Sequence, residues 1–300
     1  MTDLARNRLE ANGVYLDQIG LGIEHFDSGL RKTKHLTRYE HTTHILEEAY
    51  KLGITHYDIV FNSPHFFDVF SDFISDKRDK ITFTAHLGNV FNKQKGRAIK
   101  SRTLRNIQKS FDSMMDQLDV DYVDIALVQY VRNIEDYNKI KKNGIIEYLQ
   151  QLKEEGRVKT IGVSGHNSLL LSKIIDEIEY DTIMFTLNFA TGSHEATKDL
   201  INKCKEQQIA VLGIKTLLKG KLFTTRKTEL GAYYSGGRKY SMKLDEAATP
   251  GQCINYALDY GADTVVFGVK TVDELIEVVQ SCNSEKGLNN YQKFVKLFGT

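Results

Sequence analysis

Short apolar runs rich in β-branched residues alternate along this chain with stretches of helical length, whose apolar residues recur every three or four positions. This alternation is typical of repeated βα units with parallel strands rather than of a β-sandwich. The predicted strands are residues 18–23, 56–60, 81–86, 122–129, 160–164, 182–187, 210–214 and 264–268. The predicted helices are residues 38–52, 65–75, 101–117, 144–155, 168–178, 193–207, 249–260 and 271–282. Eight such units in 300 residues predict a closed (β/α)8 TIM barrel of the α/β class.

No low-complexity linker interrupts this pattern, so the sequence predicts a single domain over residues 1–300. The segment 215–247 contains four glycines and is too long for an ordinary connection, which predicts a functional loop or lid. An open dinucleotide-binding sheet is disfavoured, because Gly20 and Gly22 are followed by neither the third glycine of a GxGxxG fingerprint nor an immediate helix.

Composition excludes several classes of function. Forty Lys and Arg against 39 Asp and Glu leave a net charge of +1, so no bulk basic field would attract nucleic acid or a membrane surface. The three cysteines are far apart and form no CxxC motif, which predicts neither a metal site nor a disulfide framework. The N-terminal residues also lack the apolar stretch of a signal peptide. We therefore expect a cytoplasmic protein whose partner is a small-molecule substrate, and the sequence leaves its oligomeric state open.

Candidate chemistry lies at the carboxyl ends of the predicted strands, where the active sites of (β/α)8 barrels are found. Polar residues at those ends are Glu24, His25, Asp58, His86, Gln129, Ser164 to Asn167, Asn188, Lys215 and Lys270. A single buried polar group of this kind is usually structural, held by hydrogen bonds. The convergence of several of them on one face of a barrel predicts an active site there.

Four stretches of the chain resemble the aldo-keto reductase superfamily. They are LGITHYDIVFNSP at 52–64, DYVDIALVQYV at 121–131, LKEEGRVKTIGVSGHNS at 152–168 and PGQCINYALDYGADTVVFGVKTVDEL at 250–275. The resemblance implies a (β/α)8 barrel that binds NAD(P)H without a Rossmann domain. It favours NADPH as the cofactor, with NADH as the alternative.

The family's catalytic tetrad of Asp, Tyr, Lys and His is largely replaced in this sequence. Asp58 matches the Asp, while Ser63, His86 and Gln129 stand where the Tyr, Lys and His belong. A serine hydroxyl is too weak an acid to replace the tyrosine, whereas an imidazolium is a competent general acid. We predict that Asp58 and His86 form a carboxylate–imidazole pair with His86 as the acid. Alternatively, the two residues only satisfy each other in a decayed site. Tyr57, which flanks Asp58 on its strand, is expected to point outward.

The resemblance also implies a set of cofactor-binding residues. They are Ser164, Gly165 and His166 after strand five, Asn188 after strand six, Lys215 after strand seven, and Gly268, Lys270, Thr271 and Glu277 at strand eight and the helix that follows. Ser164 matches the residue that holds the nicotinamide carboxamide. Gly268, Lys270 and Thr271 resemble the phosphate-binding turn, which opens a helix whose N-terminal amides suit an anion.

Three functions follow from this sequence. The first is an NAD(P)H-dependent oxidoreductase of aldo-keto reductase type with a remodelled active site, which acts on a small carbonyl or related group. The second is a redox-neutral lyase, dehydratase or isomerase that uses Asp58 and His86 for acid–base chemistry. The third is a non-catalytic cofactor-binding protein. No motif in the loops around the barrel mouth identifies the substrate.

Overall fold

The computed structural model describes residues 8–33, 35–61, 63–284 and 290–298. In chain order the strands are β1 (Arg8–Ala11), β2 (Val14–Asp17), β3 (Ile19–Gly22), β4 (His56–Ile59), β5 (Thr82–Leu87), β6 (Asn89–Asn92), β7 (Arg97–Lys100), β8 (Val123–Val131), β9 (Val158–Gly165), β10 (Thr182–Thr186), β11 (Ala210–Ile214), β12 (Thr228–Leu230), β13 (Tyr240–Met242) and β14 (Thr264–Gly268). Strands β3, β4, β5, β8, β9, β10, β11 and β14 pair in parallel and close into a barrel. The predicted (β/α)8 fold and its eight strands are confirmed.

Helices surround the barrel. They are α1 (Phe26–Gly29), α2 (Arg38–Lys51), α3 (Pro64–Ile74), α4 (Leu104–Leu118), α5 (Ile134–Lys142), α6 (Ile145–Glu154), α7 (Ser168–Ile174), α8 (Phe189–Gly192), α9 (Glu195–Glu206), α10 (Pro250–Tyr260), α11 (Val272–Cys282) and α12 (Gln292–Val295). Each predicted helix is present, although α7 ends at Ile174, earlier than expected. Local sequence explains their ends: α2 begins with a capping box in which Thr37 and Glu40 bind each other's backbone N–H groups.

Strand alternation separates two apolar layers. Tyr57 of β4 points outward, as predicted, because its ring lies 5.7 and 5.4 Å from the rings of Phe70 and Phe73 in α3. Its hydroxyl donates to the carbonyl oxygen of Ile54 at 3.1 Å. The neighbouring Asp58 consequently lies on the opposite, inward face of the strand.

The amino-terminal end of the barrel is covered by a hairpin of β1 and β2. Val14 and Leu16 of this hairpin are buried in one apolar cluster with barrel residues that include Leu127 and Leu212. The hydroxyls of Thr82 and Thr264, at the starts of β5 and β14, donate to the carbonyl oxygens of Tyr15 and Asp17. Because the hairpin covers this end, the carboxyl ends of the strands are left as the functional face.

The segment 215–247 is folded rather than extended. It contains the antiparallel strands β12 and β13. Leu222, Leu230 and Leu244 of this segment are buried in a second apolar cluster with Phe189 and Phe294. The segment therefore has its own packed base, while its role as a lid stays a prediction.

Candidate active site

Asp58 and His86 meet at the carboxyl ends of two neighbouring barrel strands. Asp58 of β4 lies opposite Thr84 of β5, and His86 follows Thr84 by two positions on the same face. Nε2 of His86 lies 2.7 Å from Oδ1 of Asp58. The two residues are 3% and 5% exposed. A carboxylate and an imidazole buried in direct contact can hold and transfer a proton.

The other two predicted tetrad positions, Ser63 and Gln129, have different hydrogen-bonding environments. Ser63 precedes α3 as its N-cap residue, and its hydroxyl makes no capping hydrogen bond. Gln129 lies near the end of β8 with a half-buried side chain, and its carbonyl oxygen accepts a hydrogen bond from Arg102 at 2.8 Å. Within the described residues, neither Ser63 nor Gln129 hydrogen-bonds to Asp58 or His86.

A β-bulge at the end of β8 shapes the mouth next to Gln129. The register between β8 and β9 shifts between Val128 and Val131. Tyr130 in the bulge has a φ of 43°, which bulky residues rarely adopt. Its N–H donates to Oγ of Ser164 at 2.9 Å. A Cβ on Gly165 would lie 3.1 Å from the carbonyl oxygen of Val131, so a glycine permits this close approach.

A cluster of ion pairs binds the backbone of the bulge. Asp136 of α5 accepts hydrogen bonds from Arg102 at 3.0 Å on each carboxylate oxygen and from Lys100 at 2.6 Å. Lys100 and Arg102 also donate to the carbonyl oxygen of Tyr130, at 2.8 and 3.3 Å. Burial lowers the pKa of Lys100 to about 8 although Asp136 acts in the opposite direction. We define Lys100, Arg102 and Asp136 as the bulge clamp.

His166 and Lys215 meet beside the bulge, beyond the ends of β9 and β11. Nζ of Lys215 lies 3.0 Å from Nε2 of His166. It also lies 3.6 Å from the ring centroid of Tyr233, which comes from the segment 215–247. The ring of His166 lies 4.6 Å from those of both Tyr130 and Tyr233. Burial, and then the nearby Lys215, lower the pKa of His166 to about 3, so this imidazole is neutral at physiological pH.

Asn188 joins strand β10 to the segment 215–247. It is fully buried, and its side-chain oxygen caps α8 by accepting from Ala190 and Thr191. Its Nδ2 donates to the carbonyl oxygens of Lys215 at 3.2 Å and of Tyr234 at 2.9 Å. Asn188 therefore anchors the backbone of Lys215 and of Tyr234.

The predicted phosphate-binding turn contains a carboxylate of its own. Thr271 caps α11 by accepting from the N–H of Glu274, and the Glu274 carboxylate accepts from the N–H of Lys270 at 2.8 Å. Lys32 also donates to this carboxylate at 2.7 Å. Burial acts to raise the pKa of Glu274, but the hydrogen bonds from Lys32 and Lys270 outweigh it and lower that pKa. Glu274 thus lies where the helix N-terminus would bind a phosphate.

Gly268 and Glu277 flank this turn on exposed surface. Glu277 lines an open groove of about 510 Å³ between α10 and α11, together with Asp273, Ile276 and Gln280. The three groups of predicted residues therefore lie around one end of the barrel: the Asp58–His86 pair, the residues near Lys215, and the turn before α11.

A family model described as the Aldo/keto reductase family matches residues 18–294. This chain belongs to the aldo/keto reductase family. A relative of this aldo/keto reductase is L-galactose dehydrogenase from Arabidopsis thaliana, which is 25% identical over 183 residues, or 59% of this chain. The chain spans 55% of the length of that relative.

Solved structures share the fold. The aldo-keto reductase AKR11C1 from Bacillus halodurans, in its holo form, matches with a TM-score of 0.73 at 16% identity, covering 98% of this chain and 96% of that chain. An aldo/keto reductase from Brucella melitensis matches with a TM-score of 0.59 at 18% identity, covering 97% and 98% of the two chains. At such identities, the likeness concerns the fold.

Two absences characterise the described residues of this aldo/keto reductase. None of their helices is both long enough and apolar enough to cross a membrane. In the same part of the chain, no three His, Cys, Asp or Glu residues are grouped to hold a metal ion.

Sequence reasoning missed two features of this site. Glu274 stands three positions after Thr271, and that Thr-x-x-Glu spacing is the pattern of a helix cap, so the sequence did carry a signal. The bulge clamp had no comparable signal, because Arg102 and Asp136 are 34 positions apart and meet only through the barrel's tertiary structure.

Proposed function

We propose that this aldo/keto reductase is an NAD(P)H-dependent oxidoreductase that acts on a small carbonyl or related group through a remodelled active site. The observation that carries the proposal is the buried contact of 2.7 Å between His86 and Asp58 at the carboxyl ends of adjacent strands. It provides an acid–base pair at the face where barrel enzymes bind their substrates. His86 takes the role of proton donor in this proposal, because Ser63 offers only an alcohol.

The contact with Asp58 supports a role for one particular nitrogen of His86. Its Nε2 contacts the Asp58 carboxylate, which fixes the ring and accepts the Nε2 proton. Its Nδ1 has no hydrogen-bond partner among the described residues. In the proposed protonated ring, Nδ1 is the N–H left to donate to a substrate oxygen, and it lies buried in this structure. General acid catalysis of this kind contributes roughly 10²–10⁴-fold to a rate.

Unsatisfied polar atoms at the mouth fit a polar cofactor. The buried hydroxyls of Thr186 and Thr216 and Nδ1 of His166 lie at or just beyond the ends of β10, β11 and β9, and have no partner within the described part of the chain. Buried polar atoms normally have partners, so these three represent unused hydrogen-bonding capacity. A bound reduced nicotinamide dinucleotide would supply the hydride and use that capacity.

The residues that we propose to line the dinucleotide site extend from the bulge to α11. They are Ser164, Gly165, His166, Asn188, Lys215, Gly268, Lys270, Thr271 and Glu277. We propose NADPH, with NADH as the alternative, because Lys270 and Thr271 begin a helix that suits an additional phosphate. Binding at this turn requires the Glu274 carboxylate to leave the N–H of Lys270.

The relatives and the composition support the rest of the proposal. One relative is named as a dehydrogenase and one structural neighbour was solved in a holo form. The described cysteines, Cys204, Cys253 and Cys282, are free and buried, which suits the reducing cytoplasm. We therefore propose a cytoplasmic enzyme with a small-molecule substrate.

Calorimetric titration with NADPH and NADH tests the cofactor half of this proposal. We expect NADPH to bind, and Lys270→Ala to weaken its binding by about 1 kcal/mol, or roughly fivefold, since a charge-assisted contact is lost. The exposed Lys243→Ala is the matched control and should leave the affinity unchanged. Failure of both dinucleotides to bind would contradict the proposed function, because no hydride source would remain.

A further inference from the structure

Lys215 is a half-buried amine without a carboxylate partner. Its Nζ contacts Nε2 of the neutral His166 at 3.0 Å, and it forms no ion pair with any described carboxylate. Lys100 is also partly buried, but it forms an ion pair with Asp136 at 2.6 Å. Burial removes water from the Lys215 amine without an ion pair to compensate, which favours its neutral form.

The backbone holds this amine in place. Lys215 follows β11 with a φ of 59°, a left-handed backbone conformation that residues other than glycine rarely adopt. Asn188 fixes that conformation by donating from Nδ2 to the carbonyl oxygen of Lys215 at 3.2 Å. Such disfavoured backbone geometry is concentrated at functional sites. The strand end and the Asn188 contact thus keep the Lys215 side chain against His166.

The surroundings of Lys215 lower the pKa of its amine toward neutral pH. The groups that face the amine are Glu24 beyond β3, His166 beyond β9, Lys219 in the next turn, and Tyr233 and Tyr234 in the segment 215–247. Burial lowers the pKa of Lys215 to about 7; Glu24 acts to raise it and Lys219 to lower it. The neutral, nucleophilic form of this amine is therefore far more accessible near pH 7 than that of a solvent-exposed lysine.

We propose that Lys215 is a carbonyl-reactive amine, which forms a reversible imine with a small aldehyde or ketone in the barrel mouth. The Nζ lone pair attacks the carbonyl carbon, and a proton moves from nitrogen to the carbonyl oxygen to give a carbinolamine. Loss of water then leaves a carbon–nitrogen double bond, and hydrolysis reverses the step. No oxidant, reductant or dinucleotide takes part, so this reaction is independent of the proposed oxidoreductase function.

The neighbouring side chains suit this chemistry. Nε2 of His166 accepts one N–H of the amine, which orients the nitrogen. The ring of Tyr233 covers Nζ but is itself 51% exposed, so a carbonyl compound reaches the amine by displacing one surface ring. The aromatic surroundings also reduce the access of water, which slows hydrolysis of the imine.

Reductive trapping of the wild-type protein tests this inference directly. The protein is incubated at pH 7 with glyceraldehyde and sodium cyanoborohydride, without dinucleotide, and modified lysines are quantified by peptide mass spectrometry. Lys219 is exposed in the same turn and serves as the internal control. We expect Lys215 to be modified at least about tenfold faster than Lys219, because burial lowers the pKa of Lys215 and leaves more of its amine neutral at pH 7. Equal or slower modification of Lys215 would overturn the inference.

The pH profile and two variants complete the test. The rate at Lys215 should level off above about pH 8, because its amine is then largely neutral. Lys215→Arg should abolish the fast adduct, and Lys219→Arg should preserve it. A rate at Lys215 that keeps rising up to pH 10 would contradict the inference. Because no NADPH is present, this failure would leave the oxidoreductase proposal standing.

Discussion

Substitution of Asp136 should reveal how strongly the bulge clamp stabilises the barrel mouth. The Asp136 and Arg102 side chains are 8% and 11% exposed, and their contact is bidentate. Asp136→Asn keeps the size of the side chain but leaves Arg102 as a buried cation without its counter-ion. Removing one partner of a buried ion pair costs about 3–5 kcal/mol. Lys100 is 24% exposed and can turn toward water. We therefore expect the lower end, about 3 kcal/mol at pH 7.

The same interaction predicts a specific dependence on pH. Burial acts to raise the pKa of Asp136, but hydrogen bonds from Arg102 and Lys100 outweigh it and hold that pKa well below its usual range. A carboxyl whose pKa is lowered by folding stabilises the protein above its unfolded pKa of about 3.9, and that contribution is lost as the pH falls further. The difference in stability between wild type and Asp136→Asn should therefore be largest near neutral pH and shrink at pH 3.

Urea unfolding followed by circular dichroism measures both effects. The matched control is Asp112→Asn, which removes the partner of Arg157 at the surface, where Asp112 is 54% exposed. A surface ion pair contributes about 0–1 kcal/mol, so this control should change stability little at either pH. If Asp136→Asn were no more destabilising than Asp112→Asn at pH 7, the reasoning about the bulge clamp would be wrong.

Two further changes test the cofactor turn and the tetrad. Glu274→Gln should tighten NADPH binding severalfold in calorimetry, because it removes a negative charge from the place of the phosphate. The exposed Asp273→Asn should have a smaller effect, and weaker NADPH binding by Glu274→Gln would contradict the proposed role of the turn. Wild type should reduce an aromatic aldehyde orders of magnitude more slowly than typical enzymes do. Ser63→Tyr combined with His86→Lys should raise that rate, because the two changes restore the family's tyrosine acid and its lysine. Rapid reduction by wild type would show that Ser63 is not the residue that replaces the tyrosine.

The barrel was predictable because each strand is a short β-branched run whose pattern is local. The hairpin of β1 and β2 was also open to prediction, because Asn12 and Gly13 form the strongest two-residue hairpin signal and both have positive φ. The alternation of βα units, on which the fold prediction depends, does not reveal this hairpin. The sequence predicts the segment 215–247 to be a loop, because its apolar residues are too widely spaced to indicate secondary structure. In the structure these residues nevertheless pack together in the second apolar cluster.

The site was predictable only in part. Asp58 and His86 lie near the ends of consecutive barrel strands, so their neighbouring positions follow from the order of the fold. The contact of His166 with Lys215 joins strands that are not adjacent, and it depends on the left-handed backbone of Lys215. Side-chain direction at such a position does not follow from strand alternation. Tertiary structure is therefore needed to place the amine beside the imidazole.

The central claim is that His86 donates the proton in a dinucleotide-dependent reduction. A panel of small aldehydes and ketones, assayed by the absorbance of NADPH, first identifies a substrate. The decisive measurement is then the single-turnover rate of His86→Ala with NADPH bound, compared with wild type and with the exposed control His44→Ala. The account predicts a rate at least about a hundredfold lower for His86→Ala, with an unchanged NADPH dissociation constant, because the substitution removes only the acid in the chemical step. An undiminished rate in His86→Ala would contradict it and assign the proton to another group.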